Sequence, residues 1–198
     1  MNQTEIQKHI KEILKLIGED VTREGIKYTP HRVARMYDTL FYGYKKQLQI
    51  MNEEERNTTY AEDIIPITVF KNDQKEMLIR KVNFISNCEH HLVPFSGEAW
   101  IGIIPDKLLL GMNKIDKIVK YFAARLQIQE RMTTQIVDWI NDNIQPLGVI
   151  CVIRANHLCS ALQNDNGDFT TSAVRGIFLK PEVGKSPKEE FLKLMNNK

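Results

Sequence analysis

The 198-residue sequence predicts an α+β fold of antiparallel strands with helices on one face. Three observations predict it. Residues up to about 45 place apolar side chains at helical spacing, and residues 64–104 switch to β-branched and aromatic runs parted by turn residues. Helical spacing then returns from Leu110, before two further apolar runs of strand length.

Each element follows from a local pattern. Ile6, Ile10, Ile13, Leu14 and Ile17 share one face of residues 5–17, with Thr4 expected as N-cap and Gly18 as the stop. Thr29-Pro30 opens a second helix, a capping hydroxyl followed by proline in the first turn, with Val33, Met36, Tyr37, Leu40 and Phe41 as its apolar face. Residues 46–60 are polar and charged and predict a mobile connection. Strands are expected at Ile64 to Phe70, Met77 to Ile85 and Gly97 to Ile104, with Lys71-Asn72-Asp73-Gln74 as a hairpin turn. Ile115, Ile118, Val119, Phe122 and Leu126 form one helical stripe. Ile128, Met132, Ile136, Trp139 or Ile140, and Ile144 form another, broken by Pro146-Leu147-Gly148. Val149 to Ala155 and residues 170–179 complete the strands. The chain thus divides into an N-terminal helical segment, 1–60, and a main domain, 61–198.

Composition narrows the function classes. Lys and Arg total 27 against 25 Asp and Glu, a formal charge of +2, without the basic excess of general nucleic-acid binding. Three cysteines cannot all pair within one chain, so reduced thiols and a cytoplasmic setting are expected. Runs such as Val149 to Ile153 are too short to span a bilayer, and Met1 to Lys8 hold no apolar signal core. No membrane partner is expected.

The chemistry concentrates at two points. Cys88-Glu89-His90-His91 follows a strand, and its Cys-x-x-His spacing lets one turn offer two zinc ligands. Asn156-His157-Leu158-Cys159, after another strand, offers a third. Cys88, His91 and Cys159 make a Cys₂His set whose fourth position stays open, the arrangement of a catalytic Zn²⁺. Cys151, inside an apolar strand, reads as core. His90 and His157 remain as imidazoles suited to proton transfer beside the metal, or else as packing residues. Gln129 and Glu130 place an amide and a carboxylate together, which suits the edge of a guanine-like ring; a solvated helix start is the plainer reading of that charge run. Lys114, Lys117 and Arg32 offer cations for phosphate, though lysines of this kind are commonly just surface.

These residues resemble a known family. Gly18-Glu19-Asp20-Val21-Thr22-Arg23-Glu24-Gly25, Thr29-Pro30-His31-Arg32-Val33-Ala34, Cys88-Glu89-His90-His91-Leu92-Val93-Pro94-Phe95, Arg125 to Thr133, and His157-Leu158-Cys159 fall in the order seen in GTP cyclohydrolase I, across roughly residues 12–195. The resemblance implies a tunnelling fold: a four-stranded antiparallel sheet with two long helices on one side. It further implies pentameric barrels stacked into a homodecamer, with active sites between subunits. The implied reaction converts GTP and water to 7,8-dihydroneopterin triphosphate and formate, at the head of a pterin, folate or deazaguanine pathway. By motif position, Cys88, His91 and Cys159 hold zinc, which activates water toward purine C8. His90 and His157 move protons, Glu130 with Gln129 holds the guanine edge, and Glu89 lies in the pocket. Arg32 and Lys114 contact the triphosphate, with Asn113 and Lys117 at the neighbouring motif positions.

The sequence departs from that family in its phosphate wall. Asn113 and Lys117 stand where the family has Ser and Arg, Gln163 stands at an arginine position, and the loop 164–168 is a few residues short. Lys and Gln do not replace a bidentate guanidinium. Two enzyme readings follow. In one, the family reaction persists with Arg154, Arg175 or Lys117 compensating. In the other, the phosphate requirement has changed, or the reaction stops at a ring-opened formamide. A non-catalytic zinc protein is a third reading, disfavoured by the spare imidazoles.

Overall fold

The computed structural model describes residues 1–58, 61–163, 166–180 and 186–196. The chain begins with helices α1 (Gln3–Leu16), α2 (Glu24–Lys27) and α3 (Thr29–Leu40). The cap of α1 is Asn2 rather than Thr4: the Asn2 side chain accepts the Glu5 N–H at 3.2 Å, and Thr4 lies inside the first turn. Pro30 sits in the first turn of α3 as expected, but Tyr28 is the N-cap and Thr29 makes no capping bond.

The stretch expected as a mobile connection is structured. Strand β1 (Gln47–Met51) and helix α4 (Glu53–Thr58) occupy it; Thr59 and Tyr60 lie outside the described residues. Leu48 and Ile50 pack against the main core from β1, an apolar alternation hidden by the charged run that follows it. Strand β1 pairs in parallel with β2 (Ile64–Lys71), so the smaller sheet draws strands from both sides of residue 60.

Beyond β2 come β3 (Leu78–Cys88), β4 (Pro94–Ile104), β5 (Leu108–Leu110), α5 (Met112–Ala123), β6 (Leu126–Gln127), α6 (Gln129–Ile144), β7 (Gly148–His157), α7 (Leu158–Ala161), β8 (Asp168–Gly176) and α8 (Pro187–Asn196). Residues 71–74 are not a hairpin turn. Strand β2 pairs with β1 and β5, and the Asn72 N–H donates to the Lys107 carbonyl at 3.0 Å, so the segment carries the chain from one sheet to the other. Leu126 and Ile128 leave the predicted helical stripes: α5 ends at Ala123, Leu126 is in β6, and Ile128 is the N-cap of α6. Helix α6 ends on Gln145 in the left-handed region (φ 52°), just before Pro146.

The larger sheet runs β6-β3-β4-β7-β8. Its four long strands are antiparallel, and α5 and α6 cover one face, the architecture that the resemblance implies. Alternate residues of each strand meet those helices: Val82 and Phe84, Ala99 and Ile101, Cys151 and Ile153 pack with Ile118, Val119, Met132, Ile136 and Ile140. The opposite face is not bare. Phe191 and Met195 of α8 close it over Trp100, Ile150 and Val152, so helices lie on both faces. Gly102 admits this packing, because a Cβ there would stand 2.5 Å from the Phe191 ring. No helix among the described residues is long and apolar enough to cross a membrane.

Strand direction positions the site. Strands β3 and β7 both run antiparallel to β4, so their C-terminal ends emerge at one edge. Strand β3 delivers Cys88 there, and β7 delivers His157. The short β6 pairs Gln127 with Cys88 and brings the start of α6 to the same edge.

Candidate active site

Cys88 closes β3 and is 5% exposed. Its N–H donates to the Val93 carbonyl and its carbonyl accepts from Leu92 N–H, both at 2.9 Å. Leu92 takes φ 58°, the left-handed turn that returns the chain into β4. The tight loop leaves His91 Nδ1 3.6 Å from Cys88 Sγ. Cys159 arrives from α7, and the donor atoms of Cys88, His91 and Cys159 all lie within 4.8 Å of one another. Tetrahedral zinc with bonds of about 2.0–2.3 Å sets its donors roughly 3.5 Å apart, so two thiols and an imidazole at this spacing fit that ion. Burial, and then contact with Cys88, push the Cys159 thiol above its ordinary value. A bound cation reverses that bias by favouring thiolate. Cys151 is fully buried in the core, and its thiol is pushed up by burial alone.

A cavity of about 310 Å³ opens over this trio, at the lower end of small-molecule pockets. His90, His157, Gln129, Glu130 and Gln163 are among its lining residues. His90 is mostly exposed, its side chain 65% accessible. His157 is held. Its ring stacks on Phe95, the residue opposite it in the β4–β7 register, with centroids 4.4 Å apart and planes 5° from parallel. Phe169 meets the same ring edge-on at 5.2 Å. Burial pushes the His157 pKa down, against a smaller upward pull from Glu130. Glu130 is exposed at the cavity and carries no hydrogen bond among the described residues.

Two expected substrate contacts are occupied otherwise. Glu89 does not line the cavity; its carboxylate pairs with both terminal nitrogens of Arg131, which holds it below the usual carboxylate range. With Glu89 N–H donating to the Gln127 carbonyl at 3.0 Å, this ion pair ties the Cys88–His91 turn to α6. Gln129 is 2% exposed, and its side-chain amide bonds to His157 and to β7 and β8.

The cations lie elsewhere. Lys114 is 4% exposed in the first turn of α5, and burial, with Lys117 and Arg56 nearby, lowers its pKa. Between Lys114 and Lys117, Asp116 forms a two-pronged ion pair with Arg80 (2.7 and 3.0 Å) near the start of β3. Arg80 and Cys88 are separated by eight strand residues, about 26 Å. Arg32 is exposed on α3, and Asn113 is exposed on α5. None of these four lines the cavity. Nor do the expected compensators. Arg154 follows the alternation of Ile150 and Val152 onto the α8 face, where it donates to Asn196 at 3.2 Å. Arg175 is paired with Asp138 at 2.6 Å. Of the shortened loop, Asn164 and Asp165 lie outside the described residues.

Sequence patterns did not single out Phe95, Phe169, Thr171 or Arg131 as site-forming. Only strand register places Phe95 against His157, and only the β7–β8 pairing brings Thr171 near Gln129.

Comparison with known proteins identifies the family. The family model described as GTP cyclohydrolase I matches residues 6–196. "GTP cyclohydrolase 1" of Campylobacter jejuni (strain RM1221) is 41% identical, covering 98% of this chain and 96% of the relative. Proteins of the same name from Porphyromonas gingivalis (39% identical; 98% and 93% covered) and Leptospira biflexa (41%; 94% and 95%) are similarly close. Among solved structures, the archaeosine synthase QueF-Like in the apo form overlaps 52% of this chain and 97% of its own at 15% identity, with a TM-score of 0.46. With a match over nearly its full length and relatives near 40% identity, the chain belongs to the GTP cyclohydrolase I family of enzymes.

Proposed function

We propose that this protein hydrolyses GTP to 7,8-dihydroneopterin triphosphate and formate, as a zinc enzyme. The observation that carries the reading is the convergence of Cys88, His91 and Cys159 with His90, His157 and Glu130 around one cavity. Cys88, His91 and Cys159 would hold the ion, and when bound it supplies Lewis-acid activation of water near neutral pH. The unpaired Glu130 carboxylate accepts from the N1–H and 2-amino group of guanine and rejects adenine, which cannot donate from that edge. His157, at the cavity wall, and the exposed His90 exchange protons with the opening imidazole ring and the ribose.

One chain does not hold a whole nucleotide. Lys114 and Lys117 sit at the far end of β3 from Cys88, so the site is completed by those residues from a second copy, in a homo-oligomer that we take to be a decamer of two pentamers. Such an arrangement places the base at the metal end of one subunit and the triphosphate on the cations of its neighbour. Remote phosphate binding then orients the base.

The test is direct. Zinc-loaded protein incubated with GTP should release formate and develop dihydropterin absorbance; no turnover of any guanine nucleotide with zinc bound overturns the reading. Gln163, an uncharged residue in the cavity wall, favours a second reading in which fewer phosphates are required or a ring-opened formamide is released. GTP, GDP and GMP run in parallel, with products identified by mass, separate the two.

A further inference from the structure

The start of α6 holds a network of hydrogen bonds whose directions can be worked out from the donors and acceptors alone. Gln129 Nε2 lies 3.1 Å from the Ile153 carbonyl, 3.1 Å from Thr171 Oγ1 and 3.3 Å from the Phe169 carbonyl. Carbonyl oxygens only accept, so the amide nitrogen must face them, and Oε1 must face His157 Nε2 at 2.9 Å. An amide oxygen only accepts, so His157 Nε2 carries the proton.

The hydroxyls agree with this assignment. Thr133 Oγ1 donates to the Gln129 carbonyl at 2.7 Å. Its proton is thereby used, and Thr171 is the donor in the 2.6 Å contact between the two hydroxyls. Thr171 Oγ1 retains lone pairs to accept from Gln129. Each hydroxyl proton in the ring Gln129–Thr171–Thr133 has one acceptor, the two amide N–H groups of Gln129 face three acceptors and no donor, and no reversal of the amide satisfies the set.

We propose that Gln129 is a positioning residue: it fixes the His157 ring and holds its proton on Nε2, leaving the Nδ1 lone pair for the reaction, and it does not read the guanine edge. The Phe95 stack sets the plane of the ring, and Gln129 sets its rotation within that plane. Glu130, the adjacent residue, is exposed where Gln129 is buried, so the two consecutive side chains divide base recognition from histidine orientation. The kinetic part rests on the proposed GTP reaction; the placement of the proton does not.

The experiment uses the zinc-loaded protein with Gln129→Met, which keeps the side-chain length and removes the acceptor, and Thr171→Val, which leaves Gln129 in place and removes the hydroxyl that links its amide to Thr133. For Gln129→Met, kcat should fall on the order of 10–100-fold, with KM for GTP and the preference for GTP over ITP within about twofold of the parent. Thr171→Val should shift kcat in the same direction by less, and it carries the test if Gln129→Met does not fold. A tenfold rise in KM, or loss of discrimination against ITP (which lacks the 2-amino group), with kcat retained would show that Gln129 contacts the base and overturn the proposal. A neutron structure reads the proton without turnover. Deuterium on His157 Nε2 facing Gln129 supports the assignment, and a bare Nε2 with deuterium on Nδ1 overturns it. If the parent protein fails to turn over GTP, the proposed function fails while the neutron result still decides the placement.

Discussion

The metal end of the large sheet and the start of α5 are built on opposite plans. At the end of the sheet that holds Cys88, three strands and α6 converge, and the buried and half-buried polar side chains bond within the chain: Glu89 to Arg131, Gln127 to Gln135, Gln129 to His157. At the α5 end, Lys114 is buried without an anion facing it among the described residues, and Lys117 and Arg56 add like charge. A buried ammonium beside other cations is costly unless an anion joins it. The contrast teaches that the groups around the Cys88–His91–Cys159 cluster are organised within one chain, whereas Lys114 is given no anionic partner by its own chain among the described residues.

Five experiments break or sharpen that contrast. The largest effect is expected from Cys88→Ser, which removes one thiol of the Cys88–His91–Cys159 cluster: zinc content by atomic absorption should fall below stoichiometric and formate release should vanish. Full activity in a zinc-depleted Cys88→Ser protein would separate the cluster from the chemistry. Next, His157→Ala should lower kcat by about 10²–10⁴-fold with zinc retained. If zinc is lost instead, the imidazole serves the metal site rather than the reaction.

Lys114→Ala should leave kcat near the parent value and raise KM for GTP by roughly 10–100-fold, the loss of a charge-assisted contact worth about 1.5–3 kcal/mol. Dissociating and reassembling a mixture of Lys114→Ala and Cys88→Ser proteins should restore partial activity, since some interfaces would combine an intact metal end with an intact lysine. Absence of recovery in verified mixed oligomers would place both groups in one subunit's site.

The smallest effect concerns pH. Burial depresses the His157 pKa below its ordinary 6.5. Below that ordinary value the unfolded chain takes up a proton that the folded chain resists. This contribution to stability is therefore complete above 6.5 and is lost as pH falls through the lower folded value. In zinc-stripped protein, urea midpoints should drop between about pH 7.5 and about pH 5.5, and less so for His157→Gln. Equal drops in both would remove His157 from the account.

Much of this was legible from residue order. Helical and strand periods located α1, α3, α5, α6 and the strands β2, β3, β4 and β7, because each buries one face and its sequence shows that face. The trio Cys88, His91 and Cys159 was legible because metal ligands have few substitutes, and Cys151 was legible as core from its apolar neighbours. Other features were not. Strand β1 was obscured by the charged α4 beside it, and α8 covers a sheet face that Gly102 prepares far away in sequence. Gln129-Glu130 looked like a matched pair, yet consecutive helical residues point about 100° apart, and the structure buries one and exposes the other.

The sequence alone therefore determined the type of fold, most of its long helices and strands, and the residues able to hold zinc. These depend on periodicity and on donor chemistry, both local properties. Tertiary structure alone decided that β3 and β7 end at the same edge, that Phe95 and Gln129 clamp His157 between them, that Glu89 is spent on Arg131, and that α5, the helix of Lys114, pairs its Asp116 with Arg80 at the end of β3 away from Cys88. Strand register and hydrogen-bond direction set those relations, and both depend on which segments become neighbours when the chain folds.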